Sequence, residues 1–494
     1  MRADRFTASV APKFFEAAQE AVHFKDHRSI ASWTGPNIVS LLTGLSPFAQ
    51  GVHARGHSIA ESLDTPLERL ARDGWAVGSV QAFAKTENFQ NLGMPVVAGE
   101  SPERWIARQT LAGKPFFFWY HYLDTHLPYD PEHRFLPSGL QLPAEGEPAF
   151  ERMQALRQQP ALRAGSIVFE AADRPLIDAL YAGGIQQFDA WFAVFWKFFT
   201  AAGLRDNTIL IVTADHGEEL LERGNVGHAS TTAAGTLFEE SVRVPLFIWW
   251  PPRLTPMLTE RASDHLDVMP TVLEALGQGG QAALPGSTLT GARKSTEWYA
   301  VTSKAGFAEA EPEAVKDFIA AVAEEGWKLI VRTKRREVLD ARLYNLLTDP
   351  QERRDLATDR PDIVGRMLPR LTERLANLAI PDKEPRRTSR GEDQAPPQWV
   401  SPARSGTVSW DDLQGHLYLE WAGEAPSYVL EYTAGSGVLS VKGQLTVNGP
   451  RKDFGVFSRN YWETWIVPYR EVTLRVRGES SKRWSDPLTI KLSK

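Results

Sequence analysis

The chain contains no cysteine. Disulfides and thiolate metal sites are therefore excluded. Any metal ion must be held by Asp, Glu, His or a hydroxyl oxygen, which selects hard or borderline cations such as Ca, Zn or Mn. No run of eighteen apolar residues occurs, so the sequence offers no membrane-spanning helix. Positive charge is not in excess. The formal net charge is -6, which gives no electrostatic case for nucleic acid or for an anionic membrane surface. The opening stretch MRADRFTASVAPKFFEAAQEAV has no apolar core of the kind a signal peptide needs. Internal repeats and heptads are also missing. The compartment stays open, because a chain without cysteine suits oxidising and reducing surroundings equally.

What is present is an ordinary globular composition, 43% hydrophobic and 23% charged, over 494 residues, enough for more than one domain. Helical spacing is expected over Pro12–Val22, from Ser40, over Leu63–Asp73, Tyr181–Ala202, the run SDHLDVMPTVLEALG and Pro361–Leu378. Strands are expected at Trp75–Val80, FFFWYHYL, Thr208–Thr213, VRVPLFIWW, GWKLIVRT and ARLYNLLTDP. Residues 130–178 read as an irregular excursion with one helix. The alternation predicts an α/β fold, a sheet with helices on both faces, with the ligand site at strand carboxyl ends. A catalytic domain over 1–379 gives way to a polar, proline-rich linker at 380–404. Short alternating strands then predict a small all-β sandwich over 405–494.

Three places carry chemistry. Asp215-His216 follows a β-branched strand, where a carboxylate and an imidazole turn into one loop as a partial metal site; the alternative is a solvated, helix-capping loop. HYLDTHLPY places His121 at a strand end, suited to a structural role. His126 lies in the loop after it, suited to an anion ligand or general acid. Thr34 stands just before an apolar helix in SWTGPNIVSLLTG. It is either an N-cap or a nucleophile; a free hydroxyl becomes nucleophilic when a metal or a base lowers its pKa.

Taken in order, these stretches resemble the sulfatase family of the alkaline phosphatase superfamily. TGPNIVSLLTG resembles its C/S-x-P-S-R-x-S-L-L-T-G signature. HYLDTHLPY, IVTADHGEEL, GHASTT, LFEESVRVPL, DHLDVMPTVLEALG and LYNLLTDPQERRDLA resemble its later segments. The resemblance implies an alkaline phosphatase/sulfatase-like mixed sheet, one or two divalent ions, and a covalent intermediate in sulfate or phosphate ester hydrolysis. It places Thr34 at the nucleophile, which also ligates the metal. Asp215 and His216 fall on metal-ligand positions. His126 and His228 fall where the anion is contacted or the leaving group protonated. Asn37, His121 and Tyr129 are expected to line the substrate.

The sequence departs from the family in three ways. Threonine cannot become formylglycine, so a Thr34 ester must be hydrolysed or passed on. That favours phosphatase, phosphodiesterase or phosphotransfer chemistry, as in phosphoethanolamine transferases, over sulfatase chemistry. Ile38 replaces the signature arginine, and Gln50 the usual following histidine. Family members of this type also open with an apolar strand and D-T-L-R-A-D. Here Asp4 matches only the second aspartate, and the first strand with its metal ligand is not expected within the 494 residues. The rival expectation is a catalytically impaired binding or scaffold protein. The C-terminal sandwich resembles a fibronectin type III module, its Trp410, Trp421, Trp465 and Trp484 expected in the core. It is suited to contact with a polymer-borne ester, a carbohydrate or the cell envelope.

Overall fold

Strongly apolar segments form the strands of the first unit. In chain order these are β1 (Val22–Phe24), β2 (His27–Arg28), β3 (Ala76–Val80), β4 (Phe116–Tyr120), β5 (Leu210–Thr213), β6 (Glu219–Leu220) and β7 (Val226–Gly227). β8 (Leu246–Trp249), β9 (Met257–Thr259), β10 (Ser263–Asp264), β11 (Trp298–Ser303), β12 (Phe318–Glu324), β13 (Trp327–Lys334) and β14 (Glu337–Asn345) follow. The helices are α1 (Pro12–Ala17), α2 (Thr34–Thr43), α3 (Pro47–Gln50), α4 (Pro66–Arg72) and α5 (Pro102–Leu111). α6 (Phe150–Gln158), α7 (Arg174–Ala201), α8 (Glu239–Val242), α9 (Val268–Ala275) and α10 (Pro361–Ala376) complete the set. The computed structural model describes residues 1–81, 86–97, 100–159, 167–228, 236–251, 253–278, 284–303, 317–379, 397–402, 406–409, 416–422, 427–434, 441–448, 451–456, 471–478 and 483–491. The chain divides into Met1–Pro381 and Asp382–Lys494. Among the described residues no helix is long and apolar enough to cross a membrane.

The first unit is a mixed α/β fold. One sheet has the order β5-β8-β1-β9, with β8 antiparallel to β5 and β1, and β9 parallel to β1. β3 and β4 pair in parallel. On one side Phe14 of α1 and Phe188 and Phe192 of α7 pack against Phe247 and Trp249 of β8. On the other, Ile38 and Leu42 of α2 and Leu67 of α4 build a second apolar cluster reaching Phe117 and Trp119 of β4. Alternate residues of β4 thus enter opposite clusters, and so do those of β5. Yet every residue of β4 and β5 is only half-buried. The exposure arises at edges that pair with no strand among the described residues and line a mainly apolar cavity of about 790 Å³ that ends at His121, Asp215 and His216.

α10 covers the antiparallel sheet β11-β12-β13-β14, pressing Ile363, Met367 and Leu371 onto Val322, Leu329 and Val331. The sequence announced β13, β14 and α10, but not β11 or β12. FIAAVAE is rich in alanine, a weak strand former, and burial of the whole segment decides its state.

Several expected boundaries move. The first helix stops at Ala17, and Val22 opens β1 rather than closing the helix. α7 begins seven residues before Tyr181, at Arg174, with Pro175 in its first turn.

The second unit has β15 (Gln398–Ser401), β16 (Gly406–Ser409), β17 (His416–Ala422), β18 (Ser427–Ala434), β19 (Val441–Asn448), β20 (Arg451–Val456), β21 (Glu471–Gly478) and β22 (Leu488–Lys491). They form sheets β15-β17-β20 and β16-β22-β21-β18-β19. β15 lies inside the stretch expected as linker, because buried Trp399 pairs with β17 and stacks edge-on with Trp421. The expected linker residues 380–396, and Trp410 and Trp465, lie outside the described residues. Trp421 is core as expected, whereas Trp484 is half-buried beneath the Arg477 guanidinium.

Candidate active site

The turn before α2 sets the first reactive group. The helix starts six residues ahead of its expected start at Ser40, because Trp33 is extended (φ -156°, ψ 163°) and Thr34 is already helical. The residue at the cap position is therefore Trp33, and no side chain caps the helix. Thr34 is not the cap. Its Oγ1 lies 3.2 Å from His216 Nε2 and also reaches the Asp215 carboxylate. Gly35 is required here, since a Cβ would sit 2.6 Å from the Trp33 ring. At its far end α2 stops at Gly44, which is left-handed (φ 73°).

Two departures from the resembled signature are accounted for locally. Ile38 is fully buried in the apolar cluster beneath α2. Gln50 donates to Pro36 O and Ser40 Oγ, each at 2.9 Å, tying α3 to the start of α2. Asn37, expected to line the substrate, is committed to the turn before α2. It is buried, and its amide is spent on the main chain of Ile30, Ala31 and Trp33.

The second group comes from the loop after β5. Gly217 N donates to Ser241 O at 2.8 Å, and a Cβ on Gly217 would lie 2.0 Å from Glu240 O. Only glycine lets this loop press on α8. Asp215 and His216 are thereby turned toward Thr34. His216 Nδ1 faces Gly217 O at 2.8 Å, and a carbonyl can only accept, so Nδ1 carries the proton and Nε2 presents a lone pair. Burial holds the His216 pKa down at about 4, so the ring is neutral at pH 7. Burial pushes the Asp215 carboxyl up, but neighbouring His216 and His121 outweigh it and hold the group well below the usual carboxylate range. His121 stands just past β4, its Nε2 3.9 Å from Asp215 Oδ2.

Behind His216 lies a second layer. The His228 ring lies 4.1 Å from the His216 ring, tilted by 46°, and donates Nδ1–H to Glu218 Oε1 at 2.9 Å. His126 crosses the His228 ring at 5.0 Å and donates Nδ1–H to Leu127 O. Burial lowers the pKa of His126 to about 4 and of His228 to about 3. Both are neutral bases in the free protein rather than ready acids. Glu218 had no assigned role in the sequence, although it stands in the same Asp-His-Gly-Glu run. Its partner His228 lies ten residues on, so spacing alone does not reveal the pair.

Two further expected site residues have other neighbours. Tyr129, expected to line the substrate, is 1% exposed, with its ring against Tyr181 and its hydroxyl on the side of Glu218. Asp4, expected in the metal-ligand set, is held by Arg2. Its carboxylate is taken by Arg2 at 2.8 Å, and its side chain is 56% exposed. Arg2, buried, also pairs with Glu222 and donates to Glu218 O. The Met1 nitrogen donates to His216 O at 2.7 Å.

The donor chemistry fits a divalent cation. Thr34 Oγ1, His216 Nε2 and Asp215 Oδ2 converge, with His216 Nε2 3.2 Å from Thr34 Oγ1 and 3.4 Å from Asp215 Oδ2. Three electron-pair donors share one hydroxyl proton, and a cation relieves their mutual repulsion. His216, Glu218 and His228 also place ligand atoms within 4.8 Å of one another, so His216 is common to both sets.

Parts of the chain are similar to known proteins. Residues 100–278 match the sulfatase family, and residues 234–379 match the N-sulphoglucosamine sulphohydrolase C-terminal family. Human (Homo sapiens) arylsulfatase A is 30% identical over 113 residues, 22% of each chain. The multifunctional alkaline phosphatase superfamily protein PehA of Trinickia caryophylli is 28% identical over 200 residues, 36% of this chain and 37% of PehA. The matched stretches thus span well under half of these relatives. The phosphonate monoester hydrolase of Agrobacterium radiobacter shares the fold, with a TM-score of 0.58 and 19% identity over 76% of this chain and 94% of that one. Residues 100–278 thus carry a sulfatase domain, and the fold around the Thr34–His216 site is similar to that of a phosphonate monoester hydrolase.

Proposed function

We propose that this protein is a metal-dependent hydrolase of sulfate or phosphate esters in which Thr34 is the covalent nucleophile, with phosphate esters favoured. The contact between Thr34 Oγ1 and His216 Nε2 carries this reading. A divalent ion held by Asp215, His216 and Thr34 would lower the pKa of the Thr34 hydroxyl and polarise the ester. Thr34 Oγ1 attacks the central atom of the ester in line, and the hydroxyl proton passes to the Asp215 carboxylate, because the only lone pair of His216 would be taken by the ion. The main-chain N–H groups of Thr34 and Gly35, at an uncapped helix start, face the non-bridging oxygens. His126 and His228 sit behind. The arriving dianion raises their pKa, so that one ring takes up a proton from solvent and then delivers it to the departing oxygen as its bond to the central atom breaks. Water hydrolyses the threonine ester in the second step, since no aldehyde can form at this residue.

We also propose that the cavity lined by β4 and β5 receives one further apolar strand. Among the described residues no strand pairs with either edge there, and main-chain N–H and C=O groups are costly to bury without partners. In the C-terminal unit, the fibronectin type III resemblance stands as the proposed identity of the sandwich.

The test is turnover of 4-nitrophenyl phosphate and 4-nitrophenyl sulfate by the full chain, with and without added Ca, Zn or Mn, beside its Thr34→Ala variant. Metal-stimulated turnover lost in the variant supports the reading. Equal turnover by both proteins overturns it, and no stoichiometric metal together with no turnover favours the scaffold alternative.

A further inference from the structure

We propose that Asn37 is the positioning residue for Thr34, a role that rests on Thr34 being the nucleophile. A helix start normally recruits a Ser, Thr, Asn or Asp side chain at the cap position, which covers the first free N–H groups. Here that position is Trp33, and the side chain following it on the helix is the reactive one.

Asn37, one turn into α2, does a related task from inside the helix. Its Oδ1 accepts from Ile30 N and Ala31 N, each at 3.1 Å. Its Nδ2 donates to Ala31 O at 2.8 Å and to Trp33 O at 3.0 Å. One carboxamide has two acceptor and two donor places, and all are filled. The side chain is fully buried, so water cannot substitute for any of these bonds.

The consequence is specific to the turn Ile30–Trp33. Its main chain is held by a side chain behind it, so no cap is needed in front. The helix N-terminus stays open toward the site, and Thr34 keeps its hydroxyl for His216 and Asp215. Neither an apolar residue nor serine at position 37 spans the same four atoms. Aspartate keeps the two acceptor bonds and loses both donors, placing a carboxylate against the Ala31 and Trp33 carbonyls.

Asn37→Ala, Asn37→Ser and Asn37→Asp are compared with the parent and with Thr34→Ala. With 4-nitrophenyl phosphate, Asn37→Ala is expected to lower kcat about 100-fold, the scale of a small misplacement of a reacting group. KM should move less than about threefold, because the anion-facing N–H groups remain. Hydrogen exchange supplies a readout that needs no activity: Ile30 and Ala31 amides should exchange at least about tenfold faster, while Leu41 and Leu42 keep their protection. Should Asn37→Ala fail to fold, Asn37→Ser is held to the same criteria. A folded variant with kcat within about threefold of the parent overturns the proposal. So does loss of protection throughout α2, which would mark a general structural role. If Thr34→Ala retains full turnover, the nucleophile reading falls, while exchange at Ile30 and Ala31 still reports on the clamp.

Discussion

Thr34 Oγ1 and His216 Nε2 stand 3.2 Å apart although 182 positions separate them in the chain. Two independent local devices create that contact. One is a helix that starts without a side-chain cap, and the other is a loop whose glycine touches the main chain of α8. A hydroxyl facing an imidazole lone pair and a carboxylate is a partial cation site and a partial nucleophile–base pair at once.

Gly217→Ala should separate these devices. The added methyl group meets Glu240 O at 2.0 Å, and that atom is main chain, so the loop or α8 must move. A cost of about 1–3 kcal/mol is expected, the usual scale for overpacking. Thermal unfolding should begin lower, and turnover should fall more steeply than stability. A variant with the parent's melting temperature and turnover contradicts this packing.

The ligand assignment makes opposite forecasts for two aspartates. Asp215→Asn should weaken binding of a divalent ion at least about tenfold, the lower range for loss of a tuned metal-site interaction. Asp4→Asn should leave it unchanged, since Asp4 is committed to Arg2. Isothermal titration with Zn or Mn on chelator-treated protein measures both. Equal loss in the two variants would return Asp4 to the ligand set.

Acid sensitivity follows from the neutral histidines. Burial holds His126 and His216 near 4 and His228 near 3, whereas unfolded histidine titrates near 6.5. Between those values the unfolded chain binds protons that the folded one does not. Stability is therefore full above about pH 6.5 and declines as pH falls toward 4. Denaturant midpoints of chelator-treated protein should drop steadily across that window. A flat profile from pH 7 to 4 would show that these rings are protonated in the folded state.

The cavity gives a fourth expectation. An apolar five-residue strand fused ahead of Met1 should raise the melting temperature and quench the fluorescence of Trp119 or Trp191, which line the cavity. A polar strand of equal length should do neither. Identical behaviour of the two fusions would remove the case for a strand there.

Much of this was legible in the sequence because it is local. TADHG announces a strand end with a carboxylate and an imidazole, and the glycine that closes SLLTG marks the end of α2. What stayed hidden depends on contacts made later in the chain or across the fold. The start of α2 is set by Asn37 reaching back over the turn, which residue type alone does not disclose. Glu218 acquires a role only when His228 folds onto it. Asp4 looks like a ligand until Arg2 is seen to occupy it. β12, rich in alanine, is a strand because it is buried between β11 and β13.

The central claim is that Thr34 forms the covalent ester. It is tested most directly by acid-quenching the full chain during turnover of 4-nitrophenyl phosphate and mapping the modified peptide by mass spectrometry. Phosphate on Thr34, absent from Thr34→Ala, is the predicted result. Turnover that leaves Thr34 unmodified, and that Thr34→Ala sustains, would contradict it.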